Sequence, residues 1–197
     1  MKYNNKTEYG KLKHAYRIVN QYENNSGNMD PMDIVRLHDN AVERKAKFTG
    51  KARKYANIGI MELDGETYIA NSAINEITDP RYINFKGEKD EIILEPEKAV
   101  FHPFKVGSHD RNIDSEYKMF EYASSVINDN KAHSLKMLSE RTMCASCESV
   151  MKEFCEKHPN VKVEVVSHKK EKASKNKNKN PIFEIDVERR YKHENSR

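Results

Sequence analysis

Apolar and polar residues form two extended segments near the middle of the chain, with a turn sequence between them. Tyr55 to Met61 and Thr67 to Ala70 are rich in apolar and β-branched residues, and Asp64-Gly65 separates them. Asp-Gly between apolar runs is typical of a two-residue β-hairpin, because both positions tolerate positive φ. The pattern therefore predicts a hairpin here, and a third extended segment is predicted from Val100 to Val106.

Two amphipathic helices are predicted in the second half of the chain. Apolar residues recur every three or four positions from Asp114 to Asn128, and again from about Cys144 to His158, which is the period of a helix with one buried face. Strands are predicted from Ser134 to Ser139 and from Val161 to Val165, where valines alternate with charged residues. This order of elements predicts an α/β fold, with a mixed β-sheet and helices packed on its faces.

The N-terminal quarter of the chain is more polar than its centre. Residues 1–53 are predicted to form a polar, helical extension with one or two peripheral helices. Asn24 to Asn28 have the composition of a loop. Asp30 followed by Pro31 is typical of a helix start, with Asp30 as the cap and Pro31 at the first helical position.

The predicted core domain spans residues 54–187. Within it, residues 168–180 are rich in Lys and Asn, and their composition predicts a disordered loop or a basic arm. A last short strand is predicted from Ile182 to Ile185, and residues 188–197 are predicted to be a charged tail.

Composition restricts the class of protein. Of 197 residues, 34% are charged and 37% are hydrophobic, which suits one domain with an extension. The sequence has no run of about 20 apolar residues, so no membrane span is expected, and its charged start predicts no secretory signal peptide. The net charge of +4 permits a polyanionic partner without requiring one. The three cysteines are too few for a disulfide framework.

The residues of greatest chemical interest lie at the N-termini of the two predicted helices. Asp114 and Glu116 begin the first helix, and Cys144 and Cys147 begin the second. A helix N-terminus favours the thiolate form of cysteine, and two thiolates three residues apart suit tetrahedral zinc. With a third protein ligand, zinc keeps an open position for water, and a nearby carboxylate that is not a ligand can exchange protons with that water.

Each of these residues also has an ordinary structural interpretation. A Cys-x-x-Cys motif occurs in thiol-redox proteins and in closed structural zinc sites, Asp114 is a preferred type of N-cap residue, and Glu116 suits a first helical turn. The late position of the motif and the lack of Trp disfavour a thioredoxin-type protein. Cys155 is about 12 Å beyond Cys147 on the same predicted helix, too far to share one zinc ion. Cys155 is therefore predicted to be a buried apolar residue, and His158 a helix C-terminal residue.

Three segments of the chain together resemble a known family, namely Asp114 to Ala123, Leu138 to Phe154 and His158 to Val166. They are similar to the deaminase domains of bacterial polymorphic toxins, which are related to the AID/APOBEC-type nucleic-acid cytidine deaminases. The signature of such deaminases is His-x-Glu followed by Pro-Cys-x-x-Cys. The resemblance covers Lys54 to Ser167, and it implies the cytidine-deaminase-like α/β fold.

The resemblance also implies roles for individual residues. The implied zinc ligands are Asp114, Cys144 and Cys147, and the implied general acid and base is Glu116. Asp114 stands where the signature has His, but an Asp oxygen is an accepted zinc ligand; His109 is the alternative third ligand. Met143 stands where the signature has Pro, at a position that coordinates nothing. Asn57, on the first predicted strand, and Ser72, after the second, are the expected contacts to the base or sugar.

The function expected from the resemblance is zinc-dependent hydrolytic deamination of cytosine to uracil in nucleic acid, with single-stranded DNA as the favoured substrate. The protein would be a toxin domain that acts in the cytoplasm of a target cell, as a monomer, with an immunity protein as a second partner and no membrane partner. The same chemistry on RNA, duplex DNA or a free nucleotide remains open. So do a metal-free nucleic-acid-binding module, since Asp114 replaces His, and a thiol-redox protein that uses Cys144 and Cys147.

Overall fold

The computed structural model of the protein describes residues 4–48, 50–76, 79, 91–94, 98–108, 110–170 and 186. The described helices are α1 (Asn4–Val19), α2 (Pro31–Ala46), α3 (Gly50–Tyr55), α4 (Ser115–Val126) and α5 (Ala145–Lys157). The strands are β1 (Tyr22–Ser26), β2 (Ile58–Leu63), β3 (Glu66–Asn71), β4 (His133–Ser139) and β5 (Val161–His168). The predicted α/β class is confirmed, and the two helices and two strands predicted in the second half are all present.

The described strands form one mixed sheet in the order β1-β5-β4-β2-β3. β4 and β5 are parallel neighbours, and every other neighbouring pair is antiparallel. The predicted hairpin is confirmed, because Leu63 pairs with Glu66, and Asp64 and Gly65 have φ values of 52° and 91°. Positive φ at both central positions is the geometry that matches the twist of the two strands.

A hydrophobic core lies on each face of the sheet, since side chains alternate along every strand. Ile58 and Ile60 of β2 belong to the core that α1 and α2 cover. Met61 belongs to the core on the opposite face, where Met119 of α4 and Phe154 of α5 are fully buried. The protein is therefore a three-layer α/β/α structure, with the two helices of chemical interest on the same face.

The helices of residues 1–53 were predicted to be peripheral because this part of the chain is polar. That prediction is wrong for α2, which forms part of the core. The predicted start is confirmed, because Asp30 Oδ1 accepts a hydrogen bond from the Met32 N–H at 2.7 Å and Pro31 follows the cap. Leu37 and Ala41 are fully buried against the sheet. The apolar stripe of α2 is short in sequence, but it shares one buried core with Ile58 and Ile60 of β2 and Leu138 of β4.

The predicted loop at Asn24 to Asn28 is wrong for its first half, because residues 22–26 form the edge strand β1. Tyr22 pairs with His168, and Asn24 with Val166, in antiparallel register. The hydrogen bonds to β5 stabilise an extended conformation that Asn and Ser do not favour by themselves. Gly27, at φ 63°, then turns the chain where a Cβ would lie 2.7 Å from the Val163 carbonyl oxygen.

The third predicted strand, Val100 to Val106, is also wrong, since no strand forms within residues 98–108. The backbone N–H groups of Val100 and Phe101 donate to the Glu121 carboxylate of α4 at 2.6–3.0 Å. A side chain thus accepts the hydrogen bonds that a neighbouring strand would otherwise accept.

Several predictions fall outside the described residues. These are most of the basic loop at 168–180, the last strand from Ile182 to Ile185, the charged tail at 188–197, and the alternative ligand His109. The proposed domain boundaries stay predictions. None of the described helices combines the length and the hydropathy that crossing a membrane requires.

Gly59 allows α4 to approach β2 closely. A Cβ at this position would lie 3.4 Å from Ser115 Cβ and 3.1 Å from Met119 Sδ, and closer still to Met119 Cε. The absence of a side chain at Gly59 therefore determines how deeply the first turn of α4 sits against the sheet.

Candidate metal centre and active site

Asp114, Cys144 and Cys147 meet where the N-termini of α4 and α5 converge. Asp114 is the N-cap residue of α4, with φ −63° and ψ 141°, and its side chain makes no capping hydrogen bond. Cys144 is the N-cap residue of α5, and its sulfur accepts a hydrogen bond from the Cys147 backbone N–H at 3.4 Å. The Asp114 carboxylate is thus directed toward the sulfur atoms, away from the N–H groups of its own helix.

The distances between these side chains match those of a tetrahedral metal site. Asp114 Oδ2 lies 3.6 Å from Cys144 Sγ and 3.4 Å from Cys147 Sγ, and the three donor atoms all lie within 4.8 Å of one another. Zn–S bonds of about 2.3 Å and Zn–O bonds of about 2.0–2.2 Å place tetrahedral ligand atoms about 3.5–3.8 Å apart. The three donors therefore fit one face of a zinc tetrahedron and leave the fourth position to a non-protein ligand.

The two cysteines differ in acidity. The pKa of Cys144 is lowered to about 7, chiefly because its sulfur accepts a hydrogen bond from the Cys147 thiol, with a further contribution from the Cys147 backbone N–H. The pKa of Cys147 is raised, because the same bond holds its proton and because the side chain is buried. Two thiolates beside a carboxylate would concentrate negative charge, and a bound cation would stabilise all three.

Arg111 adds a positive charge at the edge of this cluster. Its Nη1 lies 3.3 Å from Asp114 Oδ2, so Arg111 forms an ion pair with the residue three positions after it in the chain. Arg111 had no assigned role on sequence grounds, because a single arginine before a helix is usually solvated. The structure shows that its guanidinium contacts the same carboxylate oxygen that faces both sulfurs.

Glu116 lies beside the cluster, and its buried carboxylate accepts three hydrogen bonds. Its Oε1 accepts from Ser139 Oγ at 2.6 Å and from Asn57 Nδ2 at 3.0 Å, and its Oε2 accepts from Ser115 Oγ at 3.1 Å. The residue is 3% exposed. Burial raises the pKa of Glu116 above its usual value, which favours uptake of a proton compared with a carboxylate in water.

The two predicted substrate contacts take different positions. Asn57 lies next to Glu116, and its Nδ2 also donates to Ser139 Oγ at 3.1 Å. Ser72 contacts Asn57: its Oγ accepts a hydrogen bond from the Asn57 backbone N–H at 2.8 Å. A direct contact of either residue with a base or sugar stays a prediction.

Ser139 and Ser115 were missed by the sequence-based reasoning. Ser139 ends β4, and its hydroxyl reaches Glu116 because β4 runs beside β2 and under α4. A polar residue at the carboxyl end of a buried strand is a general signal for a site residue in α/β proteins. Ser115 hydrogen-bonds its sequence neighbour, and a serine at that position has no distinctive pattern.

Cys155 and His158 take no part in the metal cluster, as the helical spacing predicted. Cys155 is half-buried and packs against the apolar core beneath α4 and α5. His158 is buried at the end of α5, where Nδ1 lies 2.6 Å from Asp129 Oδ1 and Nε2 lies 2.8 Å from Ser124 Oγ. Within the described part of the chain, the only His, Cys, Asp and Glu side chains placed to hold a metal ion are those of Asp114, Cys144 and Cys147.

The fold and this arrangement of side chains define the class of protein, a cytidine-deaminase-like α/β domain. A family model described as the BURPS668_1122 family of deaminases, a toxin-deaminase family, matches residues 42–169, and the chain belongs to that family. The match extends from the end of α2 to just beyond β5 and includes both helices of the site. Neither the curated proteins nor the solved structures contain a match to this chain. The toxin-deaminase resemblance seen in the sequence is confirmed, and the protein is a deaminase.

Proposed function

We propose that the protein is a zinc-dependent hydrolytic deaminase that converts cytosine to uracil in nucleic acid, with single-stranded DNA as its substrate. One observation carries the proposal. A buried, triply hydrogen-bonded glutamate, Glu116, starts the same helix as a carboxylate, Asp114, that faces two cysteine sulfurs at 3.4 and 3.6 Å. Family membership supports the reaction type, and the donor set supports the metal.

Asp114, Cys144 and Cys147 would hold the zinc ion. When bound, zinc lowers the pKa of water and makes a hydroxide nucleophile available near neutral pH. One carboxylate and two thiolates are suitable ligand types, and their fixed positions at two helix N-termini require little rearrangement. Arg111 would continue to orient the Asp114 carboxylate through the ion pair at 3.3 Å.

Glu116 would transfer the protons. Its carboxylate would take one proton from the attacking water and deliver it to the ring nitrogen. It would then take the second proton from the hydroxyl group added to the ring carbon and deliver it to the departing amine. The water oxygen becomes bonded to the ring carbon, the carbon–nitrogen bond breaks, and ammonia leaves. Ser139 and Asn57 hold Oε1 at 2.6 and 3.0 Å, which keeps the carboxylate in one orientation throughout.

A nucleic-acid substrate is supported by charge as well as by the family. The net charge of +4 and the lysine-rich residues 168–180 suit a polyanion, whose backbone contacts add affinity without sequence choice. Single-stranded DNA is favoured because a target base must leave its stack to enter such a site, and a single strand lowers that cost. A toxin role would bring with it an immunity protein that covers the site, and the proposal includes that partner.

A second candidate function is thiol-disulfide exchange, and it is favoured by the Cys144 pKa of about 7. That value matches the pKa of a nucleophilic cysteine in a Cys-x-x-Cys motif. The candidate does not use Glu116, however, and leaves its burial and hydrogen bonds without a role. It predicts an activity that chelators spare and alkylation of Cys144 abolishes.

The test is a deamination assay on a mixed-sequence single-stranded DNA oligonucleotide, read by sequencing, with zinc measured in the same preparations. Wild type is compared with Glu116→Gln and with Glu156→Gln, an exposed glutamate on α5 that serves as the control. We expect C-to-T changes from wild type and Glu156→Gln only, and about one zinc per chain in all three proteins.

Other outcomes separate the alternatives. Zinc binding without conversion of DNA moves the substrate to RNA, duplex DNA or a free nucleotide, which are assayed in parallel. Conversion by Glu116→Gln at the wild-type rate would refute the role of Glu116. Absence of both zinc and conversion would reject the metal site and favour the thiol-redox candidate.

A further inference from the structure

Lys118 is a buried lysine of α4 whose ammonium group meets backbone carbonyls and not a carboxylate. The residue is 2% exposed, and its Nζ donates to Asn71 O at 2.8 Å and to Ile74 O at 2.6 Å. No carboxylate of the described residues forms an ion pair with it. Burying an ammonium group is unfavourable when no carboxylate contacts it. Burial lowers the pKa of Lys118 to about 8, although the more distant carboxylates of Glu91 and Asp114 partly oppose this shift. Such a position calls for a role that an apolar side chain could not perform.

The two carbonyl groups belong to the turn that follows β3. Within this turn, the Ile74 N–H donates to Asn71 O at 3.2 Å, and the Ala73 N–H donates to Asn71 Oδ1 at 2.8 Å. The Lys118 ammonium therefore binds both ends of the turn and joins it to α4. A charged donor is well suited to this, because its hydrogen bonds to carbonyl oxygens are stronger than those of a neutral donor.

The same turn holds Asn57 in place. Ser72, at its tip, accepts from the Asn57 N–H at 2.8 Å and donates its own N–H to Asn57 O at 3.0 Å. The Asn57 side chain then donates to Glu116 Oε1 at 3.0 Å. Hydrogen bonds thus link Lys118 to the turn, the turn to the Asn57 backbone, and the Asn57 side chain to Glu116, with covalent bonds of the chain joining these steps.

Lys118 follows Glu116 by two residues on the same helix. Positions two apart on a helix point in different directions, so the two side chains do not need to touch. The turn after β3 connects them, because Lys118 holds the turn in place and the turn holds Asn57, whose side-chain amide contacts Glu116.

We propose that Lys118 is a positioning residue of the active site, which orients Asn57 and through it the Glu116 carboxylate by binding the turn at residues 71–74. The expected loss of catalytic rate rests on the proposed function. The expected displacement of the Asn57 amide, when the Lys118 ammonium group is removed, is independent of the proposed function.

The test uses Lys118→Met, with Lys136→Met as the matched control. Lys136 pairs with Asp33 at 2.6 Å on the opposite face of the sheet. The first measurement is the NMR signal of the Asn57 side-chain NH₂ group, assigned by its loss in Asn57→Ala. We expect Lys118→Met to shift this signal and Lys136→Met to leave it unchanged. Melting temperatures of all variants are recorded in parallel.

The second measurement is a double-mutant cycle, in which kcat and KM are determined for wild type, Lys118→Met, Asn57→Ala and the double variant. We expect Lys118→Met to lower kcat roughly 10- to 100-fold, the order produced by a small misplacement of a catalytic group. KM should stay within about threefold of wild type, and in the Asn57→Ala background the further loss of kcat should be under about twofold, because contacting residues are coupled.

An unchanged Asn57 signal in folded Lys118→Met would overturn the proposal. So would an equal loss of kcat with and without Asn57, since a general loss of stability is not coupled to one side chain. Should wild type deaminate no substrate, the proposed function fails while the Asn57 signal still decides the role of Lys118. Should Lys118→Met not fold, Ser72→Ala breaks the next hydrogen bond in the series and must shift the same signal for the proposal to hold.

Discussion

Replacement of Gly59 by alanine tests how α4 is seated against the sheet. The added Cβ would meet Met119 Cε and Sδ and, at 3.4 Å, Ser115 Cβ. Both neighbours belong to α4, whose first turn carries Glu116 and whose cap is Asp114. Met119 is fully buried in the core between α4 and β2, so its terminal methyl group must move to another position within that core. The mutation must therefore displace Met119 from its preferred conformation or push the helix outward.

The expected cost follows from these contacts. Adding a methyl group to a well-packed core destabilises a protein by about 1–3 kcal/mol, which corresponds to a decrease in melting temperature of about 2–12 °C for a chain of this size. If the helix moves, Glu116 and Asp114 move together relative to Ser139 and Cys147, and deaminase activity falls by more than the stability loss would cause. Met119→Leu removes the atom in closest conflict, so the double variant should recover more than half of the lost stability.

Thermal unfolding of Gly59→Ala, Met119→Leu and the double variant measures this coupling directly. Gly10→Ala is the control, because a Cβ at Gly10 of α1 would meet no atom within 4 Å, and alanine is the better helix former. A Gly59→Ala protein as stable as wild type, or a double variant no more stable than Gly59→Ala, would refute the packing argument.

Three further predictions follow from other contacts. Cys147→Ser and Asp114→Asn should each lower the zinc content measured by atomic absorption well below that of wild type. Chelation should lower the wild-type melting temperature, because zinc that binds only the folded state stabilises that state. Equal melting temperatures with and without chelator would contradict this prediction. Lys45→Met should destabilise the fold by about 3–5 kcal/mol in denaturant unfolding, because it removes the ammonium group that contacts Glu140 Oε2 at 2.7 Å in the buried layer between α2 and the sheet. A loss below about 1 kcal/mol, the size expected for an exposed pair, would refute this estimate. Hydrogen bonds from Lys136 and Arg36 lower the pKa of Asp33, so its contribution to stability is present above its unfolded-state pKa and is lost as pH falls through the folded-state value. Wild type should therefore exceed Asp33→Asn in stability at neutral pH, and the difference should vanish in acid unfolding experiments; a constant difference would exclude the linkage.

The sequence predicted the local framework of the site well. Asp114 and Glu116 lie at a helix start because a regular apolar repeat begins just after them, and the same holds for Cys144 and Cys147. Neighbours two or three residues apart at a helix N-terminus have little freedom in their relative positions, so the pairing within each motif follows from local structure alone. The hairpin after β2 was equally predictable, because Asp64-Gly65 has a strong turn preference of its own.

Tertiary structure decided what local preference could not. Residues 22–26 form a strand because β5 offers hydrogen-bonding partners. Residues 98–108 do not form a strand, because the Glu121 carboxylate accepts hydrogen bonds from the backbone N–H groups of Val100 and Phe101. Helix α2 is a core helix because the sheet presents the apolar side chains of β2 and β4 to it. In each case the deciding partner lies far away in sequence, where composition and periodicity carry no signal.

The sequence by itself thus determined α4, α5 and the start of α2, most strands, the two motifs and the chemistry that their residue types permit. It did not predict α3, whose last residue, Tyr55, was expected to be extended. Only the tertiary structure brought the Asp114 carboxylate to both sulfurs, supplied Asn57 and Ser139 to Glu116, and placed Lys118 under the turn at residues 71–74. The physical reason is that hydrogen bonds and packing at the site join α4, α5, β2, β3 and β4. Their mutual distances depend on the parallel pairing of β4 with β5 and on the close approach that Gly59 allows.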